Sequence, residues 1–482
     1  MRLSPLLVVA LLAACAHAPE PPPQLPAMNE RFANHALLAQ HRGDTGAPAL
    51  SDWWLGFEDP VLTSIARRAL DQNLDLAAAI ARVEQSRAVA RAAGAQRLPQ
   101  IAAQGQVARE RQSLLSPEGK LANAFPGYQR DLTLQSLGVG ASWEADLAGG
   151  LRSGEAAAVA EWQAAEAGRL GVQVSVAAEA ADAYFRARGA QARIAVAESH
   201  LRTQARLLEL IQARFQGGLA TQREVAEAQA LLLQARGTLP PLRAELARQL
   251  HRLDVLMGEQ AGTVAPSLVV MGASASRERS YAYRVPTLPA DIGPAELMRR
   301  RPDVIAAERQ LDAAQARIGV ATAEYYPRVT LGGVLGAESL NGRMLTSAAF
   351  QPQAFLGLHW RLFDFGRVDA EVAQAKGARA EALAQVKLRM LRAGEDVENA
   401  VVMLTQLEAQ RGDLEEEVRA HQMARDAAED AYKGGAASLI EVLQEDRLLL
   451  ASRDQLAQLQ ADHARAAVAT FRALGGGWAR PG

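Results

Sequence analysis

The sequence repeats itself over almost its whole length, and this duplication constrains the fold more than any other feature. NLDLAAAIARVEQSRAVARAAGAQRLPQI faces RPDVIAAERQLDAAQARIGVATAEYYPRV, with Pro99 and Pro327 at a spacing of 228. SWEADLAGGLR then faces HWRLFDFGRVD, placing Trp143 opposite Trp360 and Gly149 opposite Gly366 at a spacing of 217. RFQGGLATQREV faces AYKGGAASLIEV, where Phe215/Tyr432, Gly217/Gly434, Gly218/Gly435, Glu224/Glu441 and Val225/Val442 all keep that spacing of 217. The offset changes once, so the copies differ by a loop of 11 residues between Pro99 and Trp143. A period this long is a duplicated architectural half, not a solenoid repeat of about 20–50 residues. Paired halves are a recurrent device of membrane transport, which favours a conduit.

The N-terminus reads as an export signal: Arg2, an apolar run from Leu3 to Leu12, and small residues ending at Cys15. The run is too short to be a retained membrane span. Cys15 is the only cysteine, so no internal disulfide forms, and its place after Leu12-Ala13-Ala14 resembles a bacterial lipobox. An ordinary signal cleavage beside an incidental cysteine is the alternative. Ala16 in place of an aspartate fits delivery to the outer membrane. Five prolines between Pro19 and Pro26 make the following segment an extended tether. Charge is nearly balanced, 52 Lys+Arg against 54 Asp+Glu, so no nucleic-acid surface is expected. After the signal no apolar run reaches the roughly 18 residues of a membrane helix. A membrane crossing would therefore use strands.

Each copy opens with two helices, broken at Asn73-Leu74-Asp75 in one and Arg301-Pro302-Asp303 in the other, and ending before Pro99 and Pro327. Alternating segments follow. In Leu137 to Ala145 the apolar set is Leu137, Val139, Ala141, Trp143 and Ala145; in Leu356 to Leu362 it is Leu356, Leu358, Trp360 and Leu362. Ile101 to Val107 and Val329 to Leu335 are weaker, glycine-diluted versions. Period-two alternation with Gly and polar residues between is the outer-membrane barrel pattern, though a soluble sheet over helices shares it.

Gly150 to Gly217 and Arg367 to Gly434 are each 68 residues without proline. At about 1.5 Å per residue, each reaches on the order of 100 Å as a helix. Helices of that length pack as coiled coils. Return arms span Thr221 to Gly258 and Ser438 to Gly475, so the glycine pairs between mark far tips where the chain reverses. Four strands cannot close a barrel and an open edge cannot face lipid. Two chains would give eight strands, and three would give twelve with a lumen.

DWWLGFEDPVLTSIARRALDQNLDLAAAIARVEQSRA and LMRRRPDVIAAERQLDAAQARIGVATAEYYPRVTL resemble the TolC-like outer-membrane efflux proteins, in the NodT-type lipoprotein branch, over about Trp53 to Gly475. The resemblance implies a mainly α fold with a membrane β-barrel, a homotrimer in which a 12-stranded barrel, four strands per chain, continues a long helical coiled-coil barrel. The expected segments are a signal peptide (1–14), a lipidated proline-rich tether (15–52), repeat one (53–262), a linker (263–290) and repeat two (291–478). Implied partners are a periplasmic membrane-fusion adaptor, an inner-membrane pump of the resistance-nodulation-division type, and outer-membrane lipid. No cofactor is implied beyond the diacylglycerol and N-acyl chains, palmitate among them, on Cys15.

The resemblance further implies adaptor-docking tips at Gly217, Gly218, Leu219, Gly434, Gly435 and Ala436. It implies a tyrosine–acid gate between Tyr432 and Glu224, and an acidic ring at Glu441. Packing at the tip, or a solvated helix face, are the alternatives for these three. The family's gate arginine is Ala437 here and a second acidic ring position is Gln444, so fewer ionic contacts are expected to hold a closed state. Trp143 and Trp360 read as membrane-interface anchors. His359 beside Arg361 has no spaced partner, so no metal site is expected.

No phosphate-binding loop, nucleophile elbow or metalloprotease motif is present, so no catalytic residue is expected. The reading is a passive outer-membrane duct for drugs, metals or solvents. Alternatives are a lipid-anchored periplasmic coiled-coil scaffold or adaptor, a duct for protein secretion, and a periplasmic hydrolase.

Overall fold

Two prolines and two glycine turns recur along the sequence, and the computed structural model ends a helix at each recurrence. It describes residues 29–41, 49–263, 265, 283–289, 293–340, 342, 344 and 346–479. Cys15, the signal peptide and most of the 263–290 linker lie outside the described residues.

The first copy runs α2 (Pro60–Gln72), α3 (Leu74–Ala95), β1 (Gln100–Arg111), a short α4 (Pro117–Ala122), β2 (Asp131–Ala145), α5 (Gly150–Gln216), α6 (Gln222–Gly237) and α7 (Leu239–Leu256). The second runs α8 (Pro294–Arg300), α9 (Pro302–Ala323), β3 (Arg328–Ser339), β4 (Gln353–His359), α10 (Arg367–Lys433) and α11 (Leu439–Ala473). A short α1 (His35–Gln40) and a 3-10 helix (Leu50–Phe57) precede both. Asp59 starts α2 by accepting from the amides of Val61 and Leu62 at 2.9 and 3.1 Å, ahead of Pro60 at the first helical position. Asn73 does the same for α3, and its amide donates to the Leu256 carbonyl at 3.0 Å.

The strands form one antiparallel sheet in the order β1-β2-β3-β4. Its register puts Ile101, Ala103 and Val107 on the same face as Leu137, Val139 and Trp143, then Leu331 and Leu335, then Leu356 and Leu358. The other face carries Gln104, Gln106, Ser136, Ser142, Thr330, His359 and a stripe of glycine. There Phe355 lies across Gly332, where an added Cβ would come within 2.4 Å of its ring. Val334 covers Gly138 in the same way, at 3.1 Å. The two side chains lie flat on the wall. The 11-residue difference between copies falls in the β1–β2 connection, at the end of the sheet away from the long helices.

α5 and α10 are each 67 residues, so each spans about 100 Å. Their seams are built from small residues. Gly150 meets Ala323, and Gly319 meets Ser153, where α5 packs on α9; Gly189 meets Ala461 where it packs on α11. α5 packs against α3 and α9 near the sheet and against α6, α7 and α11 beyond. Its counterpart α10 packs against α9 and α11, with only slight contacts to α8 and α1. One long helix is flanked on both sides, and its twin on one.

The core is a belt part-way along the bundle, not at its axis. Trp53 stacks on Phe471 at 5.5 Å and 8°, and Phe57 meets Phe185 at 4.9 Å. Tyr184 donates to Asp59 at 2.6 Å, and burial together with that carboxylate pushes its phenol pKa far up. α1 belongs to the belt: Glu398 on α10 accepts from the amides of Ala33 and Asn34 at 2.6 and 3.0 Å, and from the Asn34 side chain at 2.8 Å.

Three details differ from the sequence expectation. The first return arm is two helices, α6 and α7, because Pro240 and Pro241 start a new one after Gly237. β1 and β2 are longer than their clean alternation, at 12 and 15 residues. β4 ends at His359, so Trp360 and Leu362 lie beyond it. Among the described residues no helix is long and apolar enough to cross a membrane, and no group of metal-ligating side chains forms.

Candidate functional site

The two tips fold alike because glycine permits it. Gly218 and Gly435 take φ of 73° and 77°, a left-handed turn costly for other residues. Leu219 and Ala436 then donate back to the Arg214 and Ala431 carbonyls, both at 2.8 Å. This is the glycine-terminated helix end in which a later amide reaches back to an orphan carbonyl. Gly217 and Gly434 end α5 and α10 just before. Phe215, Leu219 and Ile440 are 42%, 72% and 68% exposed, so the tips carry apolar surface.

The acidic residues singled out from sequence are helix starters here. Glu224 accepts from the Thr221 amide at 2.6 Å, and the Glu224 amide donates to the Thr221 hydroxyl at 3.3 Å. Glu441 does the same with Ser438, whose amide and hydroxyl donate at 3.1 and 2.8 Å. Both are reciprocal capping boxes. The Thr221 backbone and side-chain hydrogen bonds lower the Glu224 pKa, with Arg214 adding to them; Ser438 lowers that of Glu441.

Tyr432 meets a different partner. Arg214, in the last turn of α5, donates to its hydroxyl, with the guanidinium 5.7 Å from the ring centre. No hydrogen bond joins Tyr432 to Glu224 within the chain among the described residues. Arg214 is common to both, bonded to one and electrostatically felt by the other. Sequence reasoning missed it. Nothing local pairs residues 218 positions apart, whereas the boxes were visible as Thr221-x-x-Glu224 and Ser438-x-x-Glu441. Ala437 sits in the tip turn, its amide 3.3 Å from the Ala431 carbonyl, and Gln444 is exposed on α11.

At the other end, strands meet helices through a charged knot. Arg361 contacts Glu324 at 3.0 Å and Glu371 at 3.4 Å, Arg367 contacts Glu371 at 3.1 Å, and Arg328 pairs with Glu324. Trp143 and Trp360 lie here, 38% and 50% exposed. Each indole donates at 2.9 Å to a carbonyl just before the proline, Arg97 for one and Tyr325 for the other. His359 is exposed on the polar face, opposite Arg328 in the β3–β4 register.

The model of the family described as outer membrane efflux protein matches residues 65–259 and 293–476. The chain is 33% identical to the pyoverdine export outer membrane protein OpmQ of Pseudomonas putida over 434 residues, 90% of each sequence. It is 29% identical to nodulation protein T of Rhizobium leguminosarum bv. trifolii, over 97% of this chain and 96% of that protein. Among solved structures, the outer-membrane channel OprN superposes with a TM-score of 0.82 at 31% identity, covering 95% of this chain and 99% of that one. The Campylobacter jejuni CmeC channel reaches a TM-score of 0.84 at 20% identity, a likeness of fold. In sequence and in fold the chain belongs to the outer membrane efflux protein family, and it is a passive channel, not an enzyme.

Proposed function

We propose that three copies of this chain close into one duct across the outer membrane and the periplasm. Its tips receive cargo through a periplasmic membrane-fusion adaptor from an inner-membrane pump of the resistance-nodulation-division type. The observation that carries the trimer is unfinished pairing. Among the described residues β1 and β4 each leave one edge without a strand, and α10 lacks on one flank the helices that its twin α5 has on both. An unpaired edge in lipid costs several kcal/mol for each unsatisfied amide or carbonyl. A neighbouring copy supplies both missing sides at once, a β1 for β4 and an α3 with α6 and α7 for α10. Three copies bring twelve strands, enough for a lumen.

The apolar outward face of the sheet favours this reading over a lipid-anchored scaffold, which needs no such face. The polar, glycine-lined inner face favours transit of small solutes over tight binding. Relatives are named for pyoverdine export, toluene efflux and solvent efflux. The proposed cargo is small molecules: drugs, metals or solvents. Exposed Phe215, Leu219 and Ile440 at the tips are the proposed adaptor contacts.

Cys15 is the proposed lipid attachment. The distances allow it. Glu398, which holds Ala33, lies 31 residues along α10, about 46 Å from its start beside the sheet. The 18 residues from Cys15 to Ala33 can reach at most about 60 Å.

The test is native mass spectrometry of detergent-extracted protein beside planar-bilayer recording. A trimer with discrete conductance steps is expected. A monomer released by carbonate washing, without conductance, would return the scaffold reading.

A further inference from the structure

We infer that the seam between copies is set to the residue: β4, continued one residue past its end at His359, pairs antiparallel with β1 of the next copy so that Trp360 faces its Ala103, His359 its Gln104 and Gly357 its Gln106. The inference rests on the trimeric duct proposed above and deepens it.

The argument starts from the two hairpins. β1–β2 places Gln100 opposite Ser142, and β3–β4 places Arg328 opposite His359. Moving the first pair by the repeat offsets, 228 before the changed loop and 217 after it, produces the second pair without remainder. The duplication has therefore kept strand register intact, although the first hairpin carries a longer connection.

The junction between repeats is β2–β3, where Trp143 faces Leu331, Ser142 faces Gly332 and Gly140 faces Val334. One step further round a closed ring, the same junction joins β4 to the next copy's β1. Moving β2 forward by 217 and β3 back by 228 turns these pairs into Trp360 with Ala103, His359 with Gln104 and Gly357 with Gln106 of that copy.

Two independent features agree with this register. Side-chain parity is kept: Leu356, Leu358 and Trp360 fall beside Val107, Gly105 and Ala103 on the apolar face. Phe355, Gly357 and His359 fall beside Ala108, Gln106 and Gln104 on the polar face. A slip of one residue would turn every one of these side chains to the wrong side. Size is complementary as well, since Leu358 meets Gly105 and Trp360 meets Ala103. A slip of two keeps the faces but sets Trp360 against Ile101 or Gly105, so experiment must separate these registers.

Cysteine pairing decides it. Cys15 is the only native cysteine and its thiol is committed to lipid in the proposed mature protein, so introduced thiols report cleanly. The matched double variants are His359→Cys with Gln104→Cys, and Gly357→Cys with Gln106→Cys. The shifted ones are His359→Cys with Gln106→Cys, and Gly357→Cys with Gln104→Cys. Each is first shown by native mass spectrometry to assemble, then oxidised in detergent and run on a non-reducing denaturing gel. Covalent dimers and trimers are expected from at least one matched pair, at several-fold the yield of either shifted pair. Stronger linking of a shifted pair in an intact trimer overturns the register and leaves the duct. No linking from any pair in an intact trimer overturns the β4–β1 seam. A wild-type protein that is monomeric overturns the trimer itself.

Discussion

Arg214 and Tyr432, which belong to different halves of the duplicated sequence, clasp the tips of α5 and α10 together. Their counterparts, Ala431 and Phe215, offer neither a donor nor a hydroxyl. In the proposed ring of three chains the clasp would therefore close only every second junction between coils. The three remaining junctions are free of it and are where the tips would part.

Removing either partner should loosen the closed arrangement. One exposed contact of this kind is worth about 0.5–1 kcal/mol, so three opening together shift the closed-to-open ratio about tenfold or more. Arg214→Ala and Tyr432→Phe should each increase single-channel open time or conductance. The double variant should add little, because both remove the same contact. Glu224→Ala should act less, since its carboxylate is engaged in the cap with Thr221. Unchanged conductance in Arg214→Ala would reduce the clasp to packing.

Trp143 and Trp360 tie each outgoing strand to the end of the preceding helix pair through the same indole hydrogen bond. Trp143→Phe and Trp360→Phe keep an apolar ring and delete only that donor. Each should cost about 1 kcal/mol, and the two should lower the temperature at which the proposed trimer dissociates in detergent to the same extent. A fall for one substitution and none for the other would end the equivalence of the two joints.

What could be read from sequence follows from periodicity. Proline-free runs of 68 residues became helices of 67, and Gly217, Gly218, Gly434 and Gly435 turned where expected. Local cues also existed for the caps at Thr221 and Ser438, but these give Glu224 and Glu441 a role in starting helices that the expected gate did not include. Long-range pairs left no local trace. Arg214 with Tyr432, and Glu398 with Ala33 and Asn34, meet only because two duplicated halves fold side by side. The break after Gly237 was written in Pro240-Pro241, yet a return arm of constant composition concealed it.

Acid should weaken the belt through His463. Burial first, then Arg411 and His41, lower its pKa from 6.5 to about 4, with Glu408 opposing. The folded chain thus holds the imidazole neutral, whereas the unfolded chain takes up a proton near 6.5. Stability is fully present above pH 6.5 and is lost as the pH falls from there toward 4. His463→Gln removes this titration, so its melting temperature should decline less than that of wild type across the same window. Parallel declines would assign the acid sensitivity to other groups.

The N-terminal strap offers the last test, because its two ends can be released separately. Glu398 is the acceptor for three donors from Ala33 and Asn34, and Arg31, just ahead of them, is exposed. Glu398→Ala leaves those donors to water and should speed tryptic cleavage after Arg31 by several-fold, while palmitate labelling continues. Cys15→Ser should abolish the labelling and leave the cleavage rate as in wild type. Labelling that survives Cys15→Ser ends the lipid assignment. Cleavage indifferent to Glu398→Ala means that buried Phe32 and Leu38, not the carboxylate, hold α1 on α10.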